Sequence, residues 1–261
     1  MQRRKYLFPN VIELNYQAGR KLGVNVYLID GGSEFAILDI GYDDAVPEIV
    51  ELVRKLDFNL SQCKLLIATH ADADHIQGLA KAKEMFKAKV AAHPSCVKPL
   101  EEGDPELTFA RIRAQGIDMH LPPVKVDVLL DEGEVIKVGS QTLKVWHTPG
   151  HTDGQLSFKM NNLLFSGDNI YADGCVGVID AHHGSSLPDF VNSLERIRDD
   201  DAEFWLPSHG PALRRDDKLI GETIERLKQY QHMADFGTCA VDWPLLEQWE
   251  KDVLADKMPK F

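Results

Sequence analysis

The chain has 261 residues, of which 44% are hydrophobic and 27% are charged, a composition typical of globular proteins that excludes a collagen-like, coiled-coil or largely disordered chain. Its formal net charge of −12 argues against a nucleic-acid partner, because a phosphate backbone favours a basic surface. No apolar run reaches the roughly 18 residues of a membrane span, so no membrane partner is predicted either.

The first half of the chain is predicted to alternate between strands and helices. Runs of β-branched and apolar residues indicate strands, and apolar residues that recur on one helical face indicate helices. Gly31-Gly32 joins the first two strands as a hairpin. The predicted elements, in chain order, are strands over 24–30 and 35–39, a helix over 46–56, a strand over 64–69, a helix from about 74 to 86, a strand over 90–92, and a helix followed by a loop within 100–124.

The second half repeats this theme, with a tight turn predicted at Asn161-Asn162. The predicted elements are strands over 134–137, 142–147, 155–160 and 163–166, a helix after Pro188, a strand over 203–206, a helix over 220–230 and a last helix within 243–254. Because no linker or low-complexity segment interrupts them, residues 1–261 are predicted to form a single domain with two sheets, covering helices and a helical tail over about 234–261.

Side chains of the types that bind metals follow four of the predicted strands. His70, His151, Asp168 and His209 each lie at or just beyond the end of a strand. In layered α/β folds, ligands bind beyond the carboxyl ends of strands, where loops bring distant residues together. We therefore expect these four side chains to meet at one edge of the fold.

The first of these histidines opens a dense cluster, His70-Ala-Asp72-Ala-Asp74-His75. Two imidazoles and two carboxylates this close together are costly to bury without a cation. The alternative is a solvated acidic loop in which Asp72 or Asp74 caps the following helix. The distant ligands favour a metal site over that alternative.

Together these motifs resemble the fingerprint of the metallo-β-lactamase superfamily, which is His-x-His-x-Asp-His, then a distant His, an Asp and a final His. The matching segments are 70–75, 148–152, 166–168 and 207–211, and the resemblance extends from about residue 10 to about residue 233. Residues 193–197 are similar to the hydroxyacylglutathione-hydrolase-like branch. The resemblance implies an α/β fold of the αββα four-layer sandwich type, with a metal site at one edge.

The resemblance also implies how two divalent metal ions share the ligands. One ion would be held by His70, Asp72 and His151, the other by Asp74, His75 and His209, with Asp168 and a hydroxide bridging both. Asp72 stands where the family usually has a second histidine. Zinc is the expected metal, and iron or manganese remain alternatives because a carboxylate is a harder ligand than an imidazole.

The function that the resemblance implies is that of a dinuclear metallohydrolase, which attacks a small-molecule ester, thioester, lactone or amide with the bridging hydroxide. A phosphodiesterase, an iron-dependent oxidoreductase of the flavodiiron or persulfide-dioxygenase type, and a metal-binding protein without activity remain alternatives. The flavodiiron branch has a carboxylate at the position of Asp72, which keeps the redox alternative open.

Three residues are predicted to act in catalysis. Asp74 is predicted both to bind a metal ion and to act in catalysis. His183, or its neighbour His182, could donate a proton to the leaving group from a lip of the pocket that is rich in small residues. Tyr171, which follows Asp168 in the next loop, is a similar candidate. For His183 and Tyr171 the alternative is a surface residue without a catalytic role.

The cysteines and the first residues bear on the compartment. The four cysteines are widely spaced and form no Cys-x-x-Cys pair, and the basic Arg3-Arg4-Lys5 is not followed by an apolar run that would indicate a signal peptide. These features predict a cytoplasmic protein with reduced thiols. The expected partner is a small-molecule substrate, and the oligomeric state is left open, with a homodimer as one alternative.

Overall fold

The structure is a computed structural model that describes residues 4–14, 23–113, 116–179, 184–231, 251 and 255. Its strands are β1 (Val11–Glu13), β2 (Tyr27–Asp30), β3 (Phe35–Leu38), β4 (Cys63–Ile67), β5 (Lys89–Ala92), β6 (Arg111–Ile112), β7 (Ile117–Asp118), β8 (Val128–Leu129), β9 (Val135–Val138), β10 (Gln141–His147), β11 (Leu156–Met160), β12 (Leu163–Gly167), β13 (Phe204–Pro207) and β14 (Leu213–Arg214). Its α-helices are α1 (Val46–Lys55), α2 (Ala73–Ile76), α3 (Leu79–Phe86), α4 (Pro94–Glu102), α5 (Leu187–Asp199) and α6 (Asp217–Tyr230).

Within the described residues the strands form two six-stranded sheets and one short hairpin. The first sheet has the order β1-β2-β3-β4-β5-β8, the second has the order β14-β13-β12-β11-β10-β9, and β6 pairs with β7. Strands β3, β4, β5 and β8 run parallel, as do β12 and β13. The carboxyl ends of parallel neighbours lie at the same edge of a sheet, and these ends position the site described below.

Three apolar cores arrange the elements in four layers. Helices α1, α3 and α4 pack on the outer face of the first sheet, the two sheets pack face to face, and α5 and α6 cover the second sheet. Strand β4 shows the alternation, since Leu66 belongs to the core under the helices whereas Leu65 and Ile67 belong to the core between the sheets. The predicted αββα sandwich is confirmed, as is the burial of β4 on both faces.

The helix predicted from 74 to 86 is wrong in one respect, because it is broken into α2 and α3. At Gly78 a Cβ atom would lie 2.6 Å from Val46 Cγ2 and 3.1 Å from the carbonyl oxygen of Gly41. The amide of Gly78 donates a 2.7 Å hydrogen bond to that same oxygen. The tertiary contact with the start of α1 therefore sets the break, which the helical period of the segment does not reveal.

The helix predicted within 100–124 is misplaced. Helix α4 begins at Pro94, where the His93 side chain accepts the amide of Ser95, and it ends before Gly103, which has a φ of 62°. Part of the predicted loop pairs as β6 and β7. The last predicted helix and the tail over 234–261 lie outside the described residues, apart from positions 251 and 255. Among the helices that the structure describes, none has the length and apolar character needed to cross a membrane.

Candidate metal centre

Seven potential metal ligands meet where strands of both sheets end. The first sheet supplies those of the segment 70–75, which runs from the end of β4 into the short helix α2. The second sheet supplies His151, Asp168 and His209, which follow β10, β12 and β13. The structure thus brings all seven sequence-predicted ligands to one edge of the sandwich, in segments far apart along the chain.

One group of three side chains surrounds Asp72. Its Oδ2 atom lies 3.6 Å from His70 Nε2 and 3.1 Å from His151 Nε2. Atoms bound about 2.0–2.2 Å from one tetrahedral cation are about 3.3–3.6 Å apart, so these three atoms are spaced to share a cation. Asp72 occupies the N-cap position of α2, but its side chain makes no capping hydrogen bond. The alternative of a capped, solvated loop is therefore wrong for Asp72.

A second group of three surrounds Asp74, and Asp168 lies between the two groups. Asp74 Oδ2 is 3.7 Å from His75 Nε2 and 3.4 Å from His209 Nε2. Asp168 Oδ1 is 3.7 Å from His75 Nε2, while its Oδ2 is 3.6 Å from His209 Nε2 and 3.7 Å from His151 Nε2. The carboxylate of Asp168 can therefore reach cations in both groups.

All four histidines of the cluster donate their Nδ1 proton to an acceptor outside it. The acceptors are Thr69 Oγ1 for His70 at 3.0 Å, Asp39 Oδ2 for His75 at 2.9 Å, the Val178 carbonyl for His151 at 2.6 Å and the Gly23 carbonyl for His209 at 2.9 Å. Because a neutral imidazole has one N–H, each ring in its neutral form would present an Nε2 lone pair toward the carboxylates. Metal-ligating histidines have this arrangement, in which an outer acceptor fixes the tautomer.

Asp39 orients two of these histidines at once. It follows β3, and its oxygens accept the Thr69 amide, the Thr69 hydroxyl and His75 Nδ1, each at 2.9 Å. Since the Thr69 hydroxyl donates to Asp39, it accepts from His70. Asp39 has a φ of 55°, a left-handed conformation that costs energy in residues other than glycine and persists only where the surroundings impose it.

The centre of the cluster contains buried atoms that the protein leaves without hydrogen bonds. His70 Nε2, His75 Nε2 and Asp168 Oδ1 are buried and have no hydrogen-bond partner in the described part of the chain. Each such atom costs about 1–3 kcal/mol. Divalent cations would satisfy all three, so the residues present fit a centre with mixed nitrogen and oxygen ligands.

The opposite charges of the cluster shift the pKa values of its members. Burial alone would lower the pKa of His151, but the Asp72 carboxylate raises it to about 9. Burial is likewise outweighed at His75, whose pKa is raised well above its ordinary value by carboxylates, Asp74 first among them. Burial would raise the pKa of Asp168, but His75 holds it well below the ordinary value. Without a cation, the cluster therefore retains protons at neutral pH.

Cations and protons are expected to compete for this cluster. In the metal-free protein the pKa of His151 is raised from 6.5 to about 9, so the imidazole is protonated at pH values below about 9. A cation that binds His151 in this range must displace that proton. The stability that protonation gives the metal-free protein is lost as the pH rises through about 9. We expect the affinity for zinc to rise about tenfold per pH unit for each displaced proton between about pH 7 and 9. Competition with a chelator of known affinity measures this, and a dissociation constant that does not change over this range would contradict it.

Tyr171 lies beside the second group. Its ring centroid is 5.7 Å from that of His209, with the two rings edge to face. Burial, and after it the charge of Asp168, raise the pKa of Tyr171 well above its ordinary value, so the phenol keeps its proton. Tyr171 is therefore an O–H donor within reach of the centre, whereas His182 and His183 lie outside the described residues.

Sequence reasoning missed Asp39 and Thr69, which orient the predicted ligands. A signal for Asp39 was present, because it ends the predicted strand 35–39 just as His70 follows the predicted strand 64–69. Strands β3 and β4 are parallel neighbours, so the residues that follow them lie side by side. Asp39 stands two positions before Gly41, and an Asp close to a glycine is typical of a turn. The sequence therefore does not distinguish a residue that orients metal ligands from an ordinary turn residue.

A four-layer αββα sandwich with a His and Asp cluster at the edge where strands of both sheets end defines a class of metal-binding α/β proteins. The family model described as the Metallo-beta-lactamase superfamily matches residues 19–209. The chain belongs to this superfamily.

Relatives of known name include an acyl-coenzyme A thioesterase MBLAC2 from Gallus gallus, which is 30% identical over 199 residues covering 70% of this chain and 68% of that protein. A hydroxyacylglutathione hydrolase from Rhodopseudomonas palustris is 29% identical over 154 residues, covering 58% of this chain and 50% of that protein. The crystal structure of a metallo-beta-lactamase family protein from Thermus thermophilus shares the fold, with a TM-score of 0.71 at 23% identity over 86% of this chain and 81% of that chain. The chain spans between 50% and 69% of the length of the curated relatives it matches. For a beta-lactamase-like protein 2 homolog from Caenorhabditis elegans, the matched part is 63% of that protein.

Proposed function

We propose that the protein is a hydrolase that uses two divalent metal ions to cleave a thioester or ester of a small molecule. One ion would be held by His70, Asp72 and His151, the other by Asp74, His75 and His209, and Asp168 would bridge them. The observation that carries this proposal is the convergence of four imidazole Nε2 atoms and three carboxylates from both sheets, with each Nδ1 atom bonded to an acceptor outside the cluster.

When bound, the two ions would polarise the scissile carbonyl and lower the pKa of water, so that a nucleophile forms at neutral pH. The residues of the chain would position this chemistry. Asp74 would accept a hydrogen bond from the attacking water, and Tyr171, which keeps its proton, would donate one to the oxygen on which negative charge develops. His183 remains our proposed proton donor to the leaving group.

The names of two relatives support an acyl substrate. One relative is a thioesterase of acyl-coenzyme A and the other a hydrolase of hydroxyacylglutathione, so both release an acyl group to water. We propose the same class of reaction for this chain and leave the acyl group and its carrier to experiment.

Zinc is the metal that we propose, with manganese and iron as alternatives because of Asp72. Replacing Asp72 with histidine is expected to raise the affinity for zinc relative to manganese by about tenfold, since imidazole nitrogen is a softer ligand than carboxylate oxygen. Equilibrium dialysis against an equimolar mixture of the two ions measures the ratio. Asp72→Asn, which keeps an oxygen ligand but removes its charge, is the matched control, and an unchanged ratio in Asp72→His would argue against Asp72 as a ligand.

The proposed function is tested by elemental analysis of protein purified without added metal, followed by assays of a thioester, an ester, a lactone and a phosphodiester. We expect about two ions per chain, hydrolysis of the acyl substrates, loss of activity with a chelator and recovery when metal is restored. Protein that binds no metal and gains no activity on metal addition would overturn the proposal. Hydrolysis of the phosphodiester alone, or dioxygen consumption by the iron-loaded protein alone, would replace it with the corresponding alternative.

A further inference from the structure

The loop 169–178 comes directly after Asp168 and returns to contact the metal centre near its own end. There the Gly177 amide donates a 2.8 Å hydrogen bond back to the Asp168 carbonyl. The carbonyl of the following residue, Val178, accepts His151 Nδ1 at 2.6 Å. Two consecutive residues of the loop therefore hold the backbone of one proposed ligand and the ring of another.

Gly177 lies so close to these two ligands that no space is left for a side chain. A Cβ atom at this position would lie 2.7 Å from both Cγ and Nδ1 of His151, and 2.9 Å from the Asp168 carbonyl oxygen. Carbon atoms in contact are optimally about 3.5–4.0 Å apart, so these separations are repulsive. The obstacles are a buried ring and the main chain, rather than the end of a flexible side chain.

Helix α6 anchors the loop and limits its freedom to move away from the centre. The Gly174 carbonyl accepts the Thr223 hydroxyl at 2.9 Å and Arg226 Nη2 at 2.6 Å. The Tyr171 amide donates to the Cys175 carbonyl at 2.9 Å, and the Gly174 amide donates to the Tyr171 carbonyl at the same distance. The turn that carries Tyr171 is thus tied to the same anchor, and a shift of the loop would break several hydrogen bonds.

A side chain at position 177 would therefore disturb the centre. Either the imidazole of His151 turns away and loses the Val178 carbonyl, or the loop 169–178 lifts and takes that carbonyl with it. In both cases His151 Nε2, which lies 3.1 Å from Asp72 Oδ2, leaves the position in which it can share an ion with Asp72.

The histidines of the second group do not depend on this loop for their orientation. His75 Nδ1 is bonded to Asp39, and His209 Nδ1 to the Gly23 carbonyl, and both acceptors lie outside the loop 169–178. A change in the loop should therefore affect the two proposed ions unequally.

We propose that Gly177 is a positioning residue, which by having no side chain allows the loop 169–178 to hold the imidazole of His151 in place for the ion at Asp72. This inference rests on the proposed function, because it concerns one of the two ions of that centre.

Gly177→Ala is the direct test, with zinc affinity measured by competition with a chelator. We expect one ion to bind as in the unchanged protein and the other to bind about 10- to 100-fold more weakly, as when a group that orients a ligand is lost. In NMR spectra of the metal-free protein, the Nδ1 proton of His151 is expected to exchange faster with water, because its bond to the Val178 carbonyl is broken. Two unchanged affinities would overturn the inference.

Two other glycines provide controls for the same substitution. Gly221 lies on α6, where a Cβ atom would have no neighbour within 4 Å, so Gly221→Ala is expected to change neither metal binding nor proton exchange at His151. At Gly31, between β2 and β3, a Cβ atom would lie 2.0 Å from the Val138 carbonyl oxygen, so Gly31→Ala is expected to lower the stability of the fold alone. Metal affinities that fall equally in Gly31→Ala and Gly177→Ala would reveal a general loss of stability and overturn the positioning role.

A double variant tests whether Gly177 acts through His151, and it also covers the case in which Gly177→Ala alone does not fold. In His151→Ala the imidazole is gone, and the shortest contact left for the new Cβ atom is the 2.9 Å to the Asp168 carbonyl oxygen. Gly177→Ala is therefore expected to lower the melting temperature of the metal-free protein by less in the His151→Ala background than in the unchanged chain.

Each outcome of the double variant bears on one of the two proposals. Equal losses in both backgrounds, or a double variant that fails to fold where His151→Ala folds, would overturn the inference. A double variant that folds where Gly177→Ala does not would support it. An unchanged protein that binds no metal, with the coupling between the two positions present, would overturn the proposed function and leave the contact of Gly177 with His151 supported.

Discussion

Replacing Asp168 with asparagine is expected to lower turnover by about 10³-fold or more and to reduce the metal content from about two ions to one or fewer. Asp168 is 4% exposed, and its two oxygens face His75 on one side and His151 and His209 on the other. The amide would keep one acceptor and convert the other into a donor, which would occupy a histidine lone pair that an ion needs. Elemental analysis and steady-state kinetics measure the two effects.

Asp30→Asn is the matched control for this variant. Asp30 is also 4% exposed and accepts hydrogen bonds from Arg4 and Tyr6, in a cluster unconnected with the metal centre. Its amide is expected to lower the stability of the fold while metal content and turnover stay near those of the unchanged protein. An Asp168→Asn protein that kept both ions and full turnover would contradict the bridging role.

The second large effect is expected at Asp39, which contacts no proposed ion. Asparagine tolerates the left-handed backbone found there, so Asp39→Asn tests hydrogen bonding rather than backbone strain. The amide would place an N–H₂ group against the Thr69 amide or against His75 Nδ1, both of which are donors. His75 would then shift its proton to Nε2, the atom that must bind the ion. Metal affinity is expected to fall about 10- to 100-fold.

A competition titration measures the affinity of this variant, and ¹⁵N NMR of the imidazoles reports the tautomer of His75. Thr69→Val is a graded comparison, because it removes the link from Asp39 to His70 and keeps the one to His75. We expect a smaller loss of affinity in that variant and no change in the His75 tautomer. Unchanged affinity in Asp39→Asn, with His75 protonated on Nδ1, would show that Asp39 does not orient the ligand.

The layered fold could be predicted from the sequence because each strand and helix has its own apolar period. Residues 65–68 are an uninterrupted apolar run, and the structure buries that strand between helices and the other sheet. The break at Gly78 could not be predicted in the same way, because it depends on the approach of Gly41 from another element. Helix α4 was misplaced since Pro94 and Pro99 obscure its period, and a histidine rather than a common capping residue begins it.

The ligands could be predicted because His and Asp at strand ends are rare and chemically specific. The orientation of these ligands could not be predicted. His151 donates to the carbonyl of Val178 and His209 to the carbonyl of Gly23, and every residue type supplies a carbonyl.

The division of ligands between the two sheets has a consequence for the lifetime of the protein in a cell. Each proposed ion would bind residues from both halves of the sandwich and would act as a cross-link between them. An ion that binds only the folded chain stabilises it by about 2.7 kcal/mol when present at 100 times its dissociation constant. Metal starvation should therefore increase the fraction of chains open to proteases, so that the abundance of this protein follows the supply of its metal. Pulse proteolysis at graded concentrations of free zinc measures this dependence.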